Sequence, residues 1–261
     1  MPKPIKRNVS WYGWKPDLPD NRDLAFKPKA KTLKALPKKV DLKNACPPVY
    51  NQGQLGSCTA NAIAAAMQFE LNKQKKGYDF MPSRLFIYYN ERLIEGTLSI
   101  DNGAEIRNGI KTVNKQGACS ETIWKYDDGK VFFKKLPTPT CYKQALDHQV
   151  LSYHRIDKDL NQMKACLAEG FPFVFGFTVY EAFESDAVGR TGVLNMPDPK
   201  EKCLGGHAVL CVGYDDASKR FIVRNSWDTD WGNKGYFTMP YEYLTDKNLA
   251  EDFWTVRMVE I

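Results

Sequence analysis

The stretch from Cys58 to about Lys73 constrains the fold more than any other part of the sequence. Apolar residues occupy every face of a helix drawn through it. This pattern predicts a helix that is buried on most sides and entered through a turn at Gly53 and Gly56. A chain of 261 residues, 43% of them hydrophobic, can bury such a helix within one large domain or two closely packed lobes.

The remaining pattern changes from helical to strand-like along the chain. Further helices are predicted at residues 82–95, 104–115 and 160–168. Segments rich in β-branched and aromatic residues predict strands at 173–179, 208–214, 220–226, 235–239 and 253–259. Helices followed by antiparallel strands predict an α+β protein in which a helical lobe packs against a β lobe. A cleft between two such lobes is a usual place for a binding or catalytic site.

The charge distribution excludes several classes of protein. The chain carries 37 basic and 31 acidic residues, and much of the excess positive charge lies within residues 1–39. No recognised nucleic-acid-binding motif accompanies this charge, so we expect no nucleic-acid partner. No stretch approaches the ~20 apolar residues of a transmembrane helix, and residues 1–15 lack the apolar core of a secretory signal. We therefore expect a monomer with no membrane partner, located in the cytoplasm or exported if a leader has been removed.

Cysteine and histidine are too scattered for a structural zinc site. Seven cysteines occur without a CxxC pair, and the chain has three histidines. The odd number leaves at least one cysteine outside any intrachain disulfide. We expect most of them to be small buried apolar residues, and we predict neither a metal nor a cofactor.

Cys58 is the first candidate for chemistry because it opens the buried helix. A helix N-terminus stabilises negative charge, and the thiolate is the reactive form of cysteine. An isolated cysteine at such a position is more often simply buried, so the hypothesis needs a partner base.

His207 and Asn225 supply that partner if their strands form a hairpin. His207 enters one predicted strand and Asn225 ends the next. An amide oxygen at Asn225 can then accept the imidazole N–H and hold the ring toward the thiol, while Trp227 covers the hydrogen bond. Gln52, six residues before Cys58, can supply an amide donor to a developing oxyanion.

Three segments carry a resemblance to a known family. Residues 51–58 (NQGQLGSC) resemble the nucleophile segment of papain and the cathepsins, 206–209 (GHAV) their histidine strand, and 225–232 (NSWDTDWG) their asparagine segment. The order Cys, His, Asn is the family order, and His207 follows Cys58 by 149 positions (207 − 58), within the family spacing of about 130–150. The resemblance extends from about residue 36 to residue 261.

The resemblance implies a papain-like fold, with a helical lobe packed against an antiparallel β-barrel-like lobe and the active-site cleft between them. It implies a cysteine peptidase, an endopeptidase of divergent microbial type, that cleaves peptides or proteins through a thiolate–imidazolium pair and a thioester and binds thiol-directed inhibitors. Cys58 would be the nucleophile, His207 the acid/base, Asn225 the orienting residue and Gln52 the oxyanion donor.

The same resemblance implies where a substrate lies. Residues 102–104 resemble the glycine-rich segment that pairs with the substrate backbone, and Ile106 and Gly176 resemble residues that line the pocket for the second substrate side chain. Glu105, Glu251 and Asp252 are candidates for an acid near that pocket, which would then accept basic side chains. The candidate substrate-binding residues are Asn102, Gly103, Ala104, Ile106, Gly176, Gly206 and Trp227.

Four positions depart from the family pattern. Thr59 stands where an aromatic residue usually follows the nucleophile, and Ala104 where a second glycine is usual. Leu55 and Asp101 occupy the places of two disulfide-bonded cysteines, so the usual disulfide of the helical lobe is expected to be absent. This fits a reducing compartment or a lineage that never relied on the bridge.

Residues 1–35 form an extension ahead of the domain at 36–261. Trp11, Tyr12 and Trp14 provide an aromatic cluster that can fill an apolar groove. Two hypotheses remain open: the extension blocks the acyl side of the cleft, or it is a permanent strap on the β lobe. Two alternatives to a peptidase also remain, a non-catalytic peptide-binding protein on the same fold and another papain-like acyl transferase or amidase.

Overall fold

The computed structural model describes residues 12–261, so Trp11 of the aromatic cluster lies outside the described residues. Helices and strands alternate irregularly along the chain. The α-helices are α1 (Ala30–Lys34), α2 (Cys58–Gln74), α3 (Arg84–Glu95), α4 (Ile106–Lys115), α5 (Pro139–Ala145), α6 (Leu160–Ala168), α7 (Asp186–Thr191) and α8 (Tyr241–Thr245). The strands are β1 (Trp14–Lys15), β2 (Lys39–Asp41), β3 (Ala104–Glu105), β4 (Val150–Arg155), β5 (Phe173–Tyr180), β6 (Cys203–Asp215), β7 (Arg220–Arg224), β8 (Tyr236–Pro240) and β9 (Ala250–Val259).

A seven-stranded antiparallel sheet forms the β lobe. Its order is β4-β9-β5-β6-β7-β8, and β2 pairs with β6. The sheet has two free ends, β4 and β8, so it is open where the resemblance implied a barrel-like lobe. The predicted α+β arrangement of two lobes is confirmed.

Helix α2 is the centre of the helical lobe and is buried from Cys58 to Met67 along every face. It packs against β6 and β9 on one side and against α3 and α4 on the other. The apolar pattern of the sequence therefore predicted correctly that this helix has almost no solvent-facing side. Its first turn points into the boundary between the lobes, where it meets β6.

Residues 12–35 cross both lobes in two different ways. Residues 12–16, here called the cleft segment, lie between the lobes, and Trp14 of β1 pairs in parallel with Ala104 of β3. Residues 17–35, here called the strap, follow the outside of the β lobe, where Ala25 bridges Arg155 of β4 and α1 lies against α6.

Within the part of the chain that the structure describes, no helix is long and apolar enough to cross a membrane.

Candidate active site

The thiol of Cys58 lies at the boundary between the two lobes. Cys58 is the first residue of α2, so its backbone N–H is among those that have no acceptor within the helix. Its Sγ atom accepts a hydrogen bond from the backbone N–H of Ala208 in β6 at 3.4 Å. The helix start and the histidine strand therefore meet at this sulfur.

His207 and Asn225 are joined as the hairpin prediction required. Strands β6 and β7 pair with Leu210 opposite Arg224, which places Asn225 alongside the part of β6 that carries His207. The Nε2 atom of His207 lies 2.8 Å from the Oδ1 atom of Asn225. Because an amide oxygen only accepts, Nε2 carries the proton in this arrangement.

Aromatic rings enclose this hydrogen bond. Trp227 lies 5.2 Å from the His207 ring, centroid to centroid, and Phe177 and Phe183 pack against other sides of the imidazole. Both His207 and Asn225 are buried. The enclosure keeps water from competing for the imidazole N–H, as the sequence predicted for Trp227.

Gln52 is held in a fixed orientation close to the start of α2. Its side-chain oxygen accepts from the hydroxyl of Ser226 at 2.7 Å, and its side-chain N–H donates to the carbonyl of Leu55 at 3.0 Å. An amide nitrogen has two N–H groups, so the second stays available to a ligand. Ser226, which holds this amide, was not predicted from the sequence, although it directly follows Asn225 in the asparagine segment.

Asp101 connects the nucleophile loop to the rest of the helical lobe in place of a disulfide. Both of its carboxylate oxygens lie 3.1 Å from the backbone nitrogen of Gly56, and it accepts a further hydrogen bond from the hydroxyl of Tyr88. All seven cysteines lie within the described residues, and each is a free thiol. A charge-assisted hydrogen bond thus holds the nucleophile loop in the place of the disulfide that was expected to be absent.

The thiol of Cys58 is fully buried in this structure, and burial raises its pKa to about 12. The backbone N–H groups of Ala208 and Gly13 act in the opposite direction, since both donate to the sulfur, but burial outweighs them. Burial therefore favours the uncharged thiol in this closed arrangement.

The predicted substrate-binding residues surround the cleft segment. The backbone N–H of Ala104 donates to the carbonyl of Gly13 at 2.8 Å. A Cβ atom on Gly103 would lie 1.9 Å from the same carbonyl oxygen, which explains why this close approach needs glycine there. Ala104 makes its contact through the backbone, so its methyl group does not prevent it.

Trp14 lies deeper, between the other predicted residues. Its ring touches Gly176 and Gly206, and it belongs to the same buried cluster as Ile106. Asn102 is close in sequence, but its side-chain oxygen is buried and accepts no hydrogen bond from the described part of the chain.

Of the three acidic candidates near this pocket, Asp252 reaches it. Its Oδ2 atom accepts from the indole N–H of Trp14 at 3.0 Å. Glu251 forms an ion pair with Lys158, and Glu105 accepts from the side chain of Asn108 at 3.2 Å. Among residues 12–261, no group of three or more His, Cys, Asp and Glu side chains could hold a metal ion.

Comparison with known proteins gives a consistent assignment. The profile of the papain family cysteine protease matches residues 36–253. The chain is 45% identical to an uncharacterized peptidase C1-like protein of Acanthamoeba polyphaga mimivirus, covering 98% of this chain and 88% of that protein. It is 28% identical to cysteine proteinase 3 of Entamoeba histolytica, covering 79% of this chain and 64% of the relative.

A solved structure gives the same answer at the level of the fold. Xylellain, a cysteine protease from Xylella fastidiosa, matches with a TM-score of 0.89 and 46% sequence identity. The match covers 97% of this chain and 98% of xylellain. The resemblance and the papain-like fold predicted from the sequence are thereby confirmed.

Proposed function

The chain belongs to the papain family and is a cysteine peptidase that acts on peptides, and we propose that Cys58, His207, Asn225 and Gln52 carry its chemistry. The observation that supports this assignment best is the 2.8 Å hydrogen bond between His207 and Asn225, on the strand whose Ala208 N–H contacts the sulfur of Cys58. This arrangement joins the proposed base to its orienting group and brings the proposed nucleophile to the strand that carries the base.

The roles follow from the geometry of the imidazole. Nε2 of His207 is committed to Asn225, so Nδ1 takes the proton of Cys58 and leaves a thiolate–imidazolium pair. The thiolate attacks the peptide carbonyl carbon, and the oxyanion accepts from the free N–H of Gln52 and the backbone N–H of Cys58. The C–N bond breaks as imidazolium protonates the leaving amine, and a water molecule, deprotonated by His207, then hydrolyses the thioester.

Residues 36–261 form the peptidase domain in this proposal, and residues 1–35 an extension whose cleft segment blocks it. Tyr12 packs on the rings of His207 and Trp227, Gly13 lies over Cys58, and Trp14 pairs with Ala104. The segment thus occupies both sides of the thiol. A cleft that admits chain on both sides of the nucleophile also supports an endopeptidase.

The direction of the cleft segment explains how it stays intact. If the acyl part of a substrate pairs with Ala104, a substrate runs from Ala104 toward His207, whereas the segment runs from the His207 side toward Ala104. A peptide bound in reverse does not place its leaving amine beside the imidazolium. Burial also raises the pKa of Cys58, which favours its uncharged form.

Labelling with an epoxysuccinyl thiol-directed inhibitor tests the catalytic assignment. We expect a single adduct on Cys58, found by peptide mapping, together with turnover of fluorogenic peptides. The Cys58→Ser variant should lose both, whereas Cys203→Ser, which removes an exposed thiol, should keep both. Trp14→Ala should be labelled in parallel, so that occlusion of the cleft does not hide a reactive thiol.

Three results would contradict the assignment in different ways. Turnover by a contaminant-free Cys58→Ala preparation would exclude this nucleophile. Labelling of Cys58 without peptide turnover would favour another acyl transfer. An unlabelled Cys58 in both the wild-type chain and Trp14→Ala would favour a non-catalytic peptide-binding protein.

A further inference from the structure

The pocket that holds Trp14 has the shape of a flat slot. Trp14 is 7% exposed. A Cβ atom on Gly176 would lie 1.9 Å from Cε2 of the indole, and one on Gly206 would lie 2.5 Å from Cε3. Any larger residue at either glycine would fill the slot, so the two glycines give it the width of an aromatic ring.

The floor of this pocket is a buried hydrogen-bond acceptor. Asp252 is 1% exposed and adopts a φ of 60°, a left-handed conformation that is uncommon outside glycine, at an irregularity in the pairing of β5 with β9. Its Oδ2 atom accepts from the indole N–H of Trp14 and from the backbone N–H of Asp17. The backbone bulge therefore turns a carboxylate toward a pocket with apolar walls.

Cationic groups already surround this carboxylate. The other oxygen of Asp252 accepts from Arg155 at 2.9 Å, and Arg107 lies close enough to interact with both Asp17 and Asp252. Asp17 belongs to the strap and stays in place when the cleft segment leaves, so Asp17 and Asp23 continue to pair with the two guanidinium groups. A lysine or arginine side chain entering the pocket would lose its hydration opposite a carboxylate that already pairs with Arg155.

We propose that this pocket selects substrates with tryptophan two residues before the scissile bond, and that Asp252 determines this specificity. The proposal rests on the peptidase function proposed above and replaces the expectation from sequence that an acid here admits basic side chains. A neutral indole fills the slot and gives its N–H to Asp252. Phenylalanine fills the slot without a donor, so Oδ2 of the buried carboxylate keeps only the hydrogen bond from the backbone N–H of Asp17.

A set of peptides that differ at this one position tests the proposal on the full chain. They carry tryptophan, 3-benzothienylalanine, phenylalanine or arginine, where the second replaces the indole N–H by sulfur at nearly constant shape. The fraction of molecules with an open cleft scales every kcat/KM equally, so the ratios between peptides do not depend on it. Where turnover is slow, the same peptides with a thiol-reactive group give ratios of inactivation rates.

We expect tryptophan to exceed its sulfur isostere by about tenfold to a hundredfold, the range for one hydrogen bond to a charged group, and to exceed arginine as well. In the Asp252→Gly variant, glycine suits the positive φ at this position. The ratio of tryptophan to its sulfur isostere should then fall to about one. Glu251→Gln, which alters the neighbouring carboxylate paired with Lys158, should leave it unchanged.

Equal rates for tryptophan and its isostere, or a preference for arginine, would overturn the proposal. The isostere comparison uses the unmodified chain, so it decides the matter even if Asp252→Gly does not fold. Failure of the catalytic assignment is a separate result, because it shows as turnover that survives Cys58→Ala, whatever the ratios are.

Discussion

The cleft segment and the strap are consecutive in the chain but are attached to the protein by different forces. Residues 12–16 contact the site through the Gly13 backbone, through the rings of Tyr12 and Trp14, and through one ion pair from Lys15 to Glu95. Residues 17–35 are held by buried carboxylate–guanidinium pairs and by Phe26, which is 5% exposed in the core of the β lobe.

Each of the two hypotheses about the extension therefore fits one part of it. Residues 12–16 fit the blocking segment, and residues 17–35 fit the permanent strap. Displacing the cleft segment uncovers the Trp14 pocket and the Cys58 thiol. A substrate can then fill the pocket and cover the thiol in place of the segment. Displacing the strap leaves Arg107 with one acidic partner fewer and exposes the apolar surface that Phe26 covers. We therefore expect the segment to open locally at a lower free-energy cost than the strap.

Two deletions should show the largest difference between the cleft segment and the strap. Removing residues 2–16 should raise the rate of Cys58 labelling by about 10³-fold while leaving the fold stable, because many buried contacts of the cleft disappear together. Removing residues 2–34 should also uncover the thiol but lower the melting temperature markedly. Labelling rates and thermal unfolding are measured on both proteins. Equal stability of the two, or slow labelling of the shorter deletion, would contradict the division.

A single substitution in the cleft segment should act in the same direction. Trp14→Ala removes a buried indole. Such truncations destabilise the closed packing by about 3–5 kcal/mol when the cavity stays unfilled. We expect this cost to appear as faster labelling of Cys58, by about 10²-fold or more, since the segment can detach without unfolding the rest. If the melting temperature falls while labelling stays slow, Trp14 is part of the permanent core.

The matched substitution in the strap should lower the stability of the protein without changing the labelling rate of Cys58. Phe26→Ala removes a ring that packs within the β-lobe core and beneath the guanidinium of Arg257. We expect a loss of about 3 kcal/mol in the free energy of unfolding, measured by denaturant titration. The labelling rate of Cys58 should stay at the wild-type value, and a large acceleration would show that strap and segment open as one unit.

The proposed catalytic residues could be picked out from the sequence because each lies in a short segment with its own local signature. Cys58 opens a helix that is apolar on all sides, and one hairpin carries His207 in its first strand and Asn225 directly after its second. Helix α6 was predicted with the observed bounds for the same reason. Strand β4 was missed because only its first residue, Val150, is buried, so it lacks the alternation that identifies a strand.

The division of the extension could not be predicted, because it depends on contacts between distant positions. Asp23 meets Arg107 across 84 positions, and Asp17 meets Arg155 across 138. No local pattern marks either pair. The role of Asp252 was open for a similar reason: its carboxylate reaches the pocket because the backbone bulges at this residue, whereas that of Glu251 does not.

The smallest predicted effect concerns an ion pair of the strap. Asp23 binds the guanidinium of Arg107 through two oxygens, and both side chains are largely buried. Asp23→Asn keeps the shape but removes the charge, so we expect a loss of about 1–2 kcal/mol in the free energy of unfolding. Asp20→Asn is the matched control, because Asp20 pairs with the exposed side chains of Arg22 and Lys111, and it should cause no measurable change. Both variants should label at the wild-type rate. Faster labelling of Asp23→Asn alone would mean that the strap controls how often the cleft segment opens.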